Sequence, residues 1–166
     1  MIRLVVNADD LGLHARIDEG IFAAHTEGIV SSATFFSIGP TAAEAVRRVN
    51  QTKLGLGLHL CLTAHLTPAA DTREVRWLAP GGRFRGSWLE LSAAWLSGLI
   101  PSEEVVLEFR AQVRRAQDLG ARLDHLTMHH HLHLLPGMTS VLEVLAAELR
   151  LPIRWPGERP SLRWML

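Results

Sequence analysis

Apolar positions along this chain fall into two patterns: short unbroken runs, and runs in which they recur at intervals of three and four. The first marks strands buried on both faces, the second amphipathic helices. Met1 to Ala8, with the apolar run "LVV" ending at Asn7, reads as a buried strand. Arg16 to Glu27 carries Ile17, Ile21 and Ala24 at helical spacing, with Gly28 where a C-terminal cap is expected. "SATFFSIG" predicts a second strand, "TAAEAVRRVN" a second helix with Thr41 as N-cap, and "LGLGLHLCL" a third buried strand. Thr63 to Gly86 breaks this rhythm. It holds Pro68, Pro80, Gly81, Gly82 and Gly86 with little periodicity, and predicts a long loop, of the kind that is often functional or mobile. Two helices follow, "SWLELSAAWLSGL" and "SEEVVLEFRAQVRRAQDLG", the latter opened by Ser102 and closed by Gly120. "HLTMH" then predicts a short strand, "MTSVLEVLAAELR" a helix and "LPIRW" a strand, while "PGERPSLRWML" carries no clear element. Strands alternating with helices predict an α/β architecture with parallel strands, in about five βα units. A complete (β/α)₈ barrel takes about 250 residues, against 166 here. The pattern therefore fits a small open sheet or a piece of something larger, and the chemistry below favours the second.

Composition narrows the function classes. A chain of 166 residues has the size of one domain, and 48% hydrophobic with 20% charged residues is ordinary for a globular protein. Lys+Arg and Asp+Glu both total 17, so there is no basic field to attract nucleic acid or anionic lipid, and neither is expected as a partner. Cys61 is the one cysteine, which excludes an internal disulfide and suits a reducing compartment. The apolar start meets two aspartates almost at once, unlike a signal peptide, and no apolar run reaches the roughly 20 residues a membrane helix needs. The expectation is a cytoplasmic, soluble, single-domain protein spanning residues 1–166.

Three segments carry candidate chemistry. "VNADDLG" puts Asp9 and Asp10 at the end of the first strand, and in α/β folds active sites gather at the C-terminal ends of strands. Taken alone, a pair of aspartates before Gly12 is more often a turn. "GLGLHLCLT" puts His59 toward the end of an apolar strand, and Gly55 and Gly57 could let a ligand approach the backbone closely. "LTMHHHLHLLPG" packs four of the nine histidines into five positions. Extended, it aligns His129, His131 and His133 on one face; coiled after His129, it makes His129 and His133 neighbours. Either geometry can offer two imidazoles to one cation. Strand ends supplying Asp, His and His form a mixed nitrogen and oxygen set that suits a divalent metal with positions left open for water. Spacing does not choose among zinc, magnesium and manganese. Of the five tryptophans, Trp77 and Trp88 flank the long loop and are the better platforms for a sugar ring; Trp95 reads as core, and Trp155 and Trp164 lie near the end.

The three segments together resemble the YdjC-like family, whose members include chitooligosaccharide deacetylases. "NADDLG" at Asn7 to Gly12 matches that family's "NADDFG", Gly57 to Thr63 its glycine–hydrophobic–histidine followed by "LT", and Thr127 to Pro136 its "DSHHHVH…P". "EGIVSSAT" also resembles the family, and the motifs occur in family order across essentially the whole chain. The resemblance implies a distorted (β/α) barrel of the polysaccharide-deacetylase type, apparently incomplete at its C-terminus. It also implies a metal-dependent hydrolase removing N-acetyl groups from amino sugars or chito-oligosaccharides. Carried over by position, Asp10, His59 and His129 would hold the metal, magnesium by resemblance with zinc as the alternative, and Asp9 would be the general base. His131 and His133 would lie beside the ligands or face the substrate, and Arg154 would orient an acid. The chain departs from the family at Thr127 and Met128, where the family has Asp-Ser, which predicts a metal held more weakly or differently. It also lacks the later "CHP"-like segment whose histidine is a candidate general acid. A non-catalytic metal- or sugar-binding remnant is the alternative function, and a metal-dependent phosphoesterase ranks third. An incomplete barrel would expose strand edges and apolar faces, which predicts a homo-oligomer, most simply a dimer.

Overall fold

The computed structural model describes residues 4–155; Met1 to Arg3, and 156–166 with Trp164 and the last two prolines, lie outside the described residues. Four strands, β1 (Asn7–Leu11), β2 (Ser32–Phe35), β3 (Gly55–Leu60) and β4 (Leu126–Met128), form one parallel sheet in that order. Helix α1 (Ala15–Thr26) joins β1 to β2, and α2 (Ala42–Val49) joins β2 to β3. Between β3 and β4 run α3 (Trp88–Leu96) and α4 (Ser102–Asp118), and α5 (Met138–Leu149) follows β4. The strand interiors are the apolar runs of the sequence, and Phe35, Leu58, Leu60, Leu126 and Met128 are buried in one core with residues from every helix.

The first strand is displaced from its expectation. Pairing with β2 begins at Asn7 opposite Ser32, so the strand is Asn7–Leu11 rather than Met1–Ala8. Leu4 and Val5 are 79% and 68% exposed, because the "LVV" run precedes the ladder at a sheet edge that no described element covers. "LPIRW" likewise contributes one parallel bridge, Ile153 to Leu126, rather than a strand. Thr41 stands at the N-cap of α2 without capping it; its hydroxyl donates instead to Asp18. Ser102 lies inside α4, whose N-cap is Pro101.

The long loop is anchored. Its one regular piece is a 3₁₀ turn at Pro80–Gly82, yet Val75, Leu78, Ala79 and Phe84 are buried. A polar stripe on α4 grips it. Glu104 accepts from the N–H groups of Trp77 and Leu78, at 3.0 and 2.8 Å. Glu108 accepts from Ala69 and Ala70, at 2.9 Å each, and from Gln112. Gln112 in turn pairs with both the N–H and the C=O of Cys61, two residues beyond His59. All three side chains are buried, four residues apart, so one helix face splints the chain from Cys61 to Leu78. Burial pushes the Glu108 carboxyl up, against the pull of its donors.

Candidate metal centre

The site begins where β1 leaves its register. Between Ala8 and Leu11 the pairing with β2 is irregular, and Asp10 has a φ of 70°, a costly conformation for any residue but glycine. Adjacent residues of a regular strand point to opposite faces. Here Asp10 meets His59, and the charge of Asp9 also reaches that imidazole. The turn is held from below. Gly12 N–H donates to Asp18 Oδ1 at 2.7 Å, and Thr41 Oγ1 to Asp18 Oδ2 at 2.6 Å, with Asp18 buried on α1. Gly12 has a φ of 85°, and Gly39 passes so close that a Cβ there would lie 2.1 Å from the Gly12 carbonyl oxygen.

His59, on β3, and His129, just after β4, complete the cluster. His59 Nε2 lies 3.4 Å from Asp10 Oδ1, His129 Nδ1 lies 3.3 Å from the same oxygen, and the two imidazole nitrogens are 3.3 Å apart. Asp10 Oδ1 is buried with no hydrogen-bond partner among the described residues. Phe36 packs against both imidazoles, tilted to His59 with ring centroids 5.0 Å apart and edge-to-face with His129 at 5.1 Å. Two imidazole lone pairs and a carboxylate oxygen converging on one point repel one another unless a proton or a cation sits between them. Ligands about 2.0–2.2 Å from one ion are separated by roughly 3 Å, so the donor triangle fits a single divalent ion. The fit covers Asp10, His59 and His129, the one such group of described side chains. The His129 and His59 imidazoles beside Asp10 hold its carboxyl well below the usual carboxylate range, while burial drives His59 down.

Asp9 sits beside this triangle in a different environment. Arg154 donates from Nη1 to Oδ1 at 2.7 Å and from Nη2 to Oδ2 at 2.9 Å, and Thr34 and Asn7 also donate to Oδ1. Burial works to raise the Asp9 pKa, but the bonds from Arg154 and Thr34 prevail and lower it. Arg154 follows the bridge beside β4, so its guanidinium reaches from one edge of the sheet back to β1 at the other.

The other histidines separate. The chain coils after His129 in a six-residue turn, His129–Leu134, with His130 and His131 in left-handed conformations. It does not bring His129 and His133 to one cation. His133 is 1% exposed, against Trp155, and neither ring nitrogen has a partner among the described residues. Burial, with the charges of His131 and Arg154, lowers its pKa to about 4. His130 Nδ1 lies 3.3 Å from the Thr63 hydroxyl, tying the turn to the start of the long loop. Gly55 and Gly57 do admit close approach, but by Asp124 and the His125 ring rather than by a ligand. Trp95 packs on the core as expected, its Nε1 donating to Pro136, and Trp88 joins it there; Trp77 remains 43% exposed.

Asp18, Thr34 and Phe36 escaped the sequence reading, and Thr127 entered it only as a departure from the family's aspartate. Asp18 left a signal: it stands one turn before Ile21 and Phe22 on the apolar stripe of α1, where a carboxylate has to be bonded. The alternating burial of a strand gives no such sign for Thr34 or Thr127.

The sequence profile of the YdjC-like proteins matches residues 3–165. The chain belongs to the YdjC-like family. A relative from Brevibacillus brevis, named carbohydrate deacetylase, is 38% identical over 157 residues, covering 93% of this chain and 60% of its own. A carbohydrate deacetylase from Oceanobacillus iheyensis is 31% identical, covering 98% of this chain and 70% of its own. The crystal structure of an Enterococcus faecalis V583 protein named for cellobiose-phosphate cleavage superposes with a TM-score of 0.83 at 30% identity, over 96% of this YdjC-like chain and 60% of that one. This YdjC-like chain thus spans about three fifths of the length of the first of these relatives. No described helix is long and apolar enough to cross a membrane.

Proposed function

We propose that this chain is a metal-dependent carbohydrate deacetylase that hydrolyses the N-acetyl group of an amino sugar or chito-oligosaccharide. The observation that carries the reading is the Asp10–His59–His129 triangle beside an arginine-gripped Asp9, in a family whose named relatives are carbohydrate deacetylases. A divalent ion held by that triangle, magnesium by family resemblance and zinc as the alternative, would polarise the amide carbonyl and acidify a water. Asp9, kept ionised by Arg154 and Thr34, is fixed to accept the proton of the attacking water. The water oxygen bonds to the acyl carbon, the C–N bond breaks, and the proton taken by Asp9 balances the one required at the departing nitrogen. His131, which is exposed, would lie beside the substrate, and the buried His133 would support the turn behind it; neither would hold the ion.

The crossing of Arg154 from the β4 edge to β1 supports a sheet curled like a distorted barrel, with residues 1–166 forming one domain of it. A cytoplasmic location and a homodimer belong to the same proposal. The test is acetate release from N-acetylated chito-oligosaccharides by the metal-loaded chain, the His59→Ala variant and the Asp9→Asn variant. Metal-dependent release lost in both variants supports the reading. Tight, His59-dependent metal binding with no release would favour a non-catalytic binding domain instead.

A further inference from the structure

We infer that Thr127 is the positioning residue that makes His59 fit to hold a metal. The inference rests on the metal-site reading above and deepens it. His59 and Thr127 are cross-strand partners in the β3–β4 ladder, both buried, with His59 Nδ1 2.5 Å from Thr127 Oγ1. The opposite ring nitrogen, Nε2, faces Asp10 and His129. A ring nitrogen binds a cation only through its lone pair, so in the loaded site the proton of a neutral His59 must sit on Nδ1. The ring is 2% exposed, so that proton needs a protein acceptor for its hydrogen bond. The Thr127 hydroxyl is the acceptor there.

A hydroxyl can also do the reverse. Without the cation, Nε2 can carry the proton toward the Asp10 carboxylate, and Thr127 Oγ1 then donates to Nδ1. Thr127 therefore satisfies His59 in either tautomer, and the ring keeps one orientation whether the site is loaded or empty. A valine has the same shape and fills the same space, but leaves Nδ1 unpaired in both states. Register makes the contact specific: sliding β4 by one residue would put Leu126 or Met128 opposite His59 and remove the hydroxyl.

The test compares wild type, Thr127→Val and Thr127→Ser. The probe is Mn2+ alone, with the free ion measured by its EPR signal. Thr127→Val should weaken Mn2+ binding roughly 10–100-fold, the usual effect of removing a group that orients a ligand, while Thr127→Ser should bind close to wild type. Equal binding by Thr127→Val, or loss of binding by Thr127→Ser, would overturn the inference. If wild type shows no Mn2+ uptake that His59→Ala abolishes, the metal-site reading itself fails. Thr127 is then judged by the 15N spectrum of the metal-free chains. The His59 ring nitrogens should shift in Thr127→Val and hold in Thr127→Ser, and an unchanged Thr127→Val spectrum would overturn it.

Discussion

His133 is a neutral imidazole sealed between Trp155 and His131, and its proton balance is written into the stability of the fold. Its pKa falls from the ordinary 6.5 to about 4 on folding. A depressed folded value means that the unfolded chain binds the extra proton first, so the stabilisation is complete above pH 6.5 and is lost as pH falls toward 4. The full span amounts to about 3 kcal/mol at 1.36 kcal/mol per unit. Urea unfolding followed from pH 7 to pH 4 should therefore show a falling limb that His133→Phe removes. An unchanged limb in that variant would assign the acid sensitivity to other groups. Asp10 illustrates a different residue-scale effect. Its left-handed backbone costs of order 1–3 kcal/mol, and the bonds from Gly12 and Thr41 to Asp18 brace the turn that follows it.

Among the elements, α4 contributes most beyond its own packing. Its buried Glu104, Glu108 and Gln112 run beside the apolar Val105, Phe109 and Val113, so this polar face is covered by the long loop. Glu108→Ala would strand the N–H groups of Ala69 and Ala70, costing about 2–5 kcal/mol at neutral pH if both are left unpaired. The urea midpoint should drop, and a protease should cut between residues 63 and 86 before it cuts elsewhere; an unchanged midpoint would show the grip to be dispensable. This element also explains what could be read in advance. The apolar runs located β2, β3 and β4, because those strands are buried on both faces, and helical spacing located all five helices, because each buries one face. The loop's fixed course was not legible, since it depends on three polar side chains from a distant helix bonding backbone groups that carry no sequence signature. The candidate ligands Asp10, His59 and His129 were legible because all three sit at strand ends. That Thr127 meets His59 depends on register, which periodicity does not encode; the resemblance offered Arg154 as orienting an acid, and sheet curvature decides that the acid is Asp9.

For the whole molecule, the exposed Leu4, Val5 and Ile29 beside the β1 edge, which pairs with no further strand among the described residues, form the surface on which the proposed homodimer would draw. Sedimentation equilibrium should give twice the chain mass, and a sharply monomeric species would count against it. The opposite edge carries a contact of another kind. Arg154 and Asp9 are 145 positions apart, yet they close on each other with two hydrogen bonds. A ribosome makes Asp9 145 positions before Arg154. Over that stretch of synthesis, then, the proposed base exists without the group that orders it. The site cannot be assembled piecemeal along the nascent chain. Its completion marks the moment at which the fifth parallel segment has found its place beside the fourth, and a nascent chain halted short of residue 154 would carry both aspartates but not their geometry.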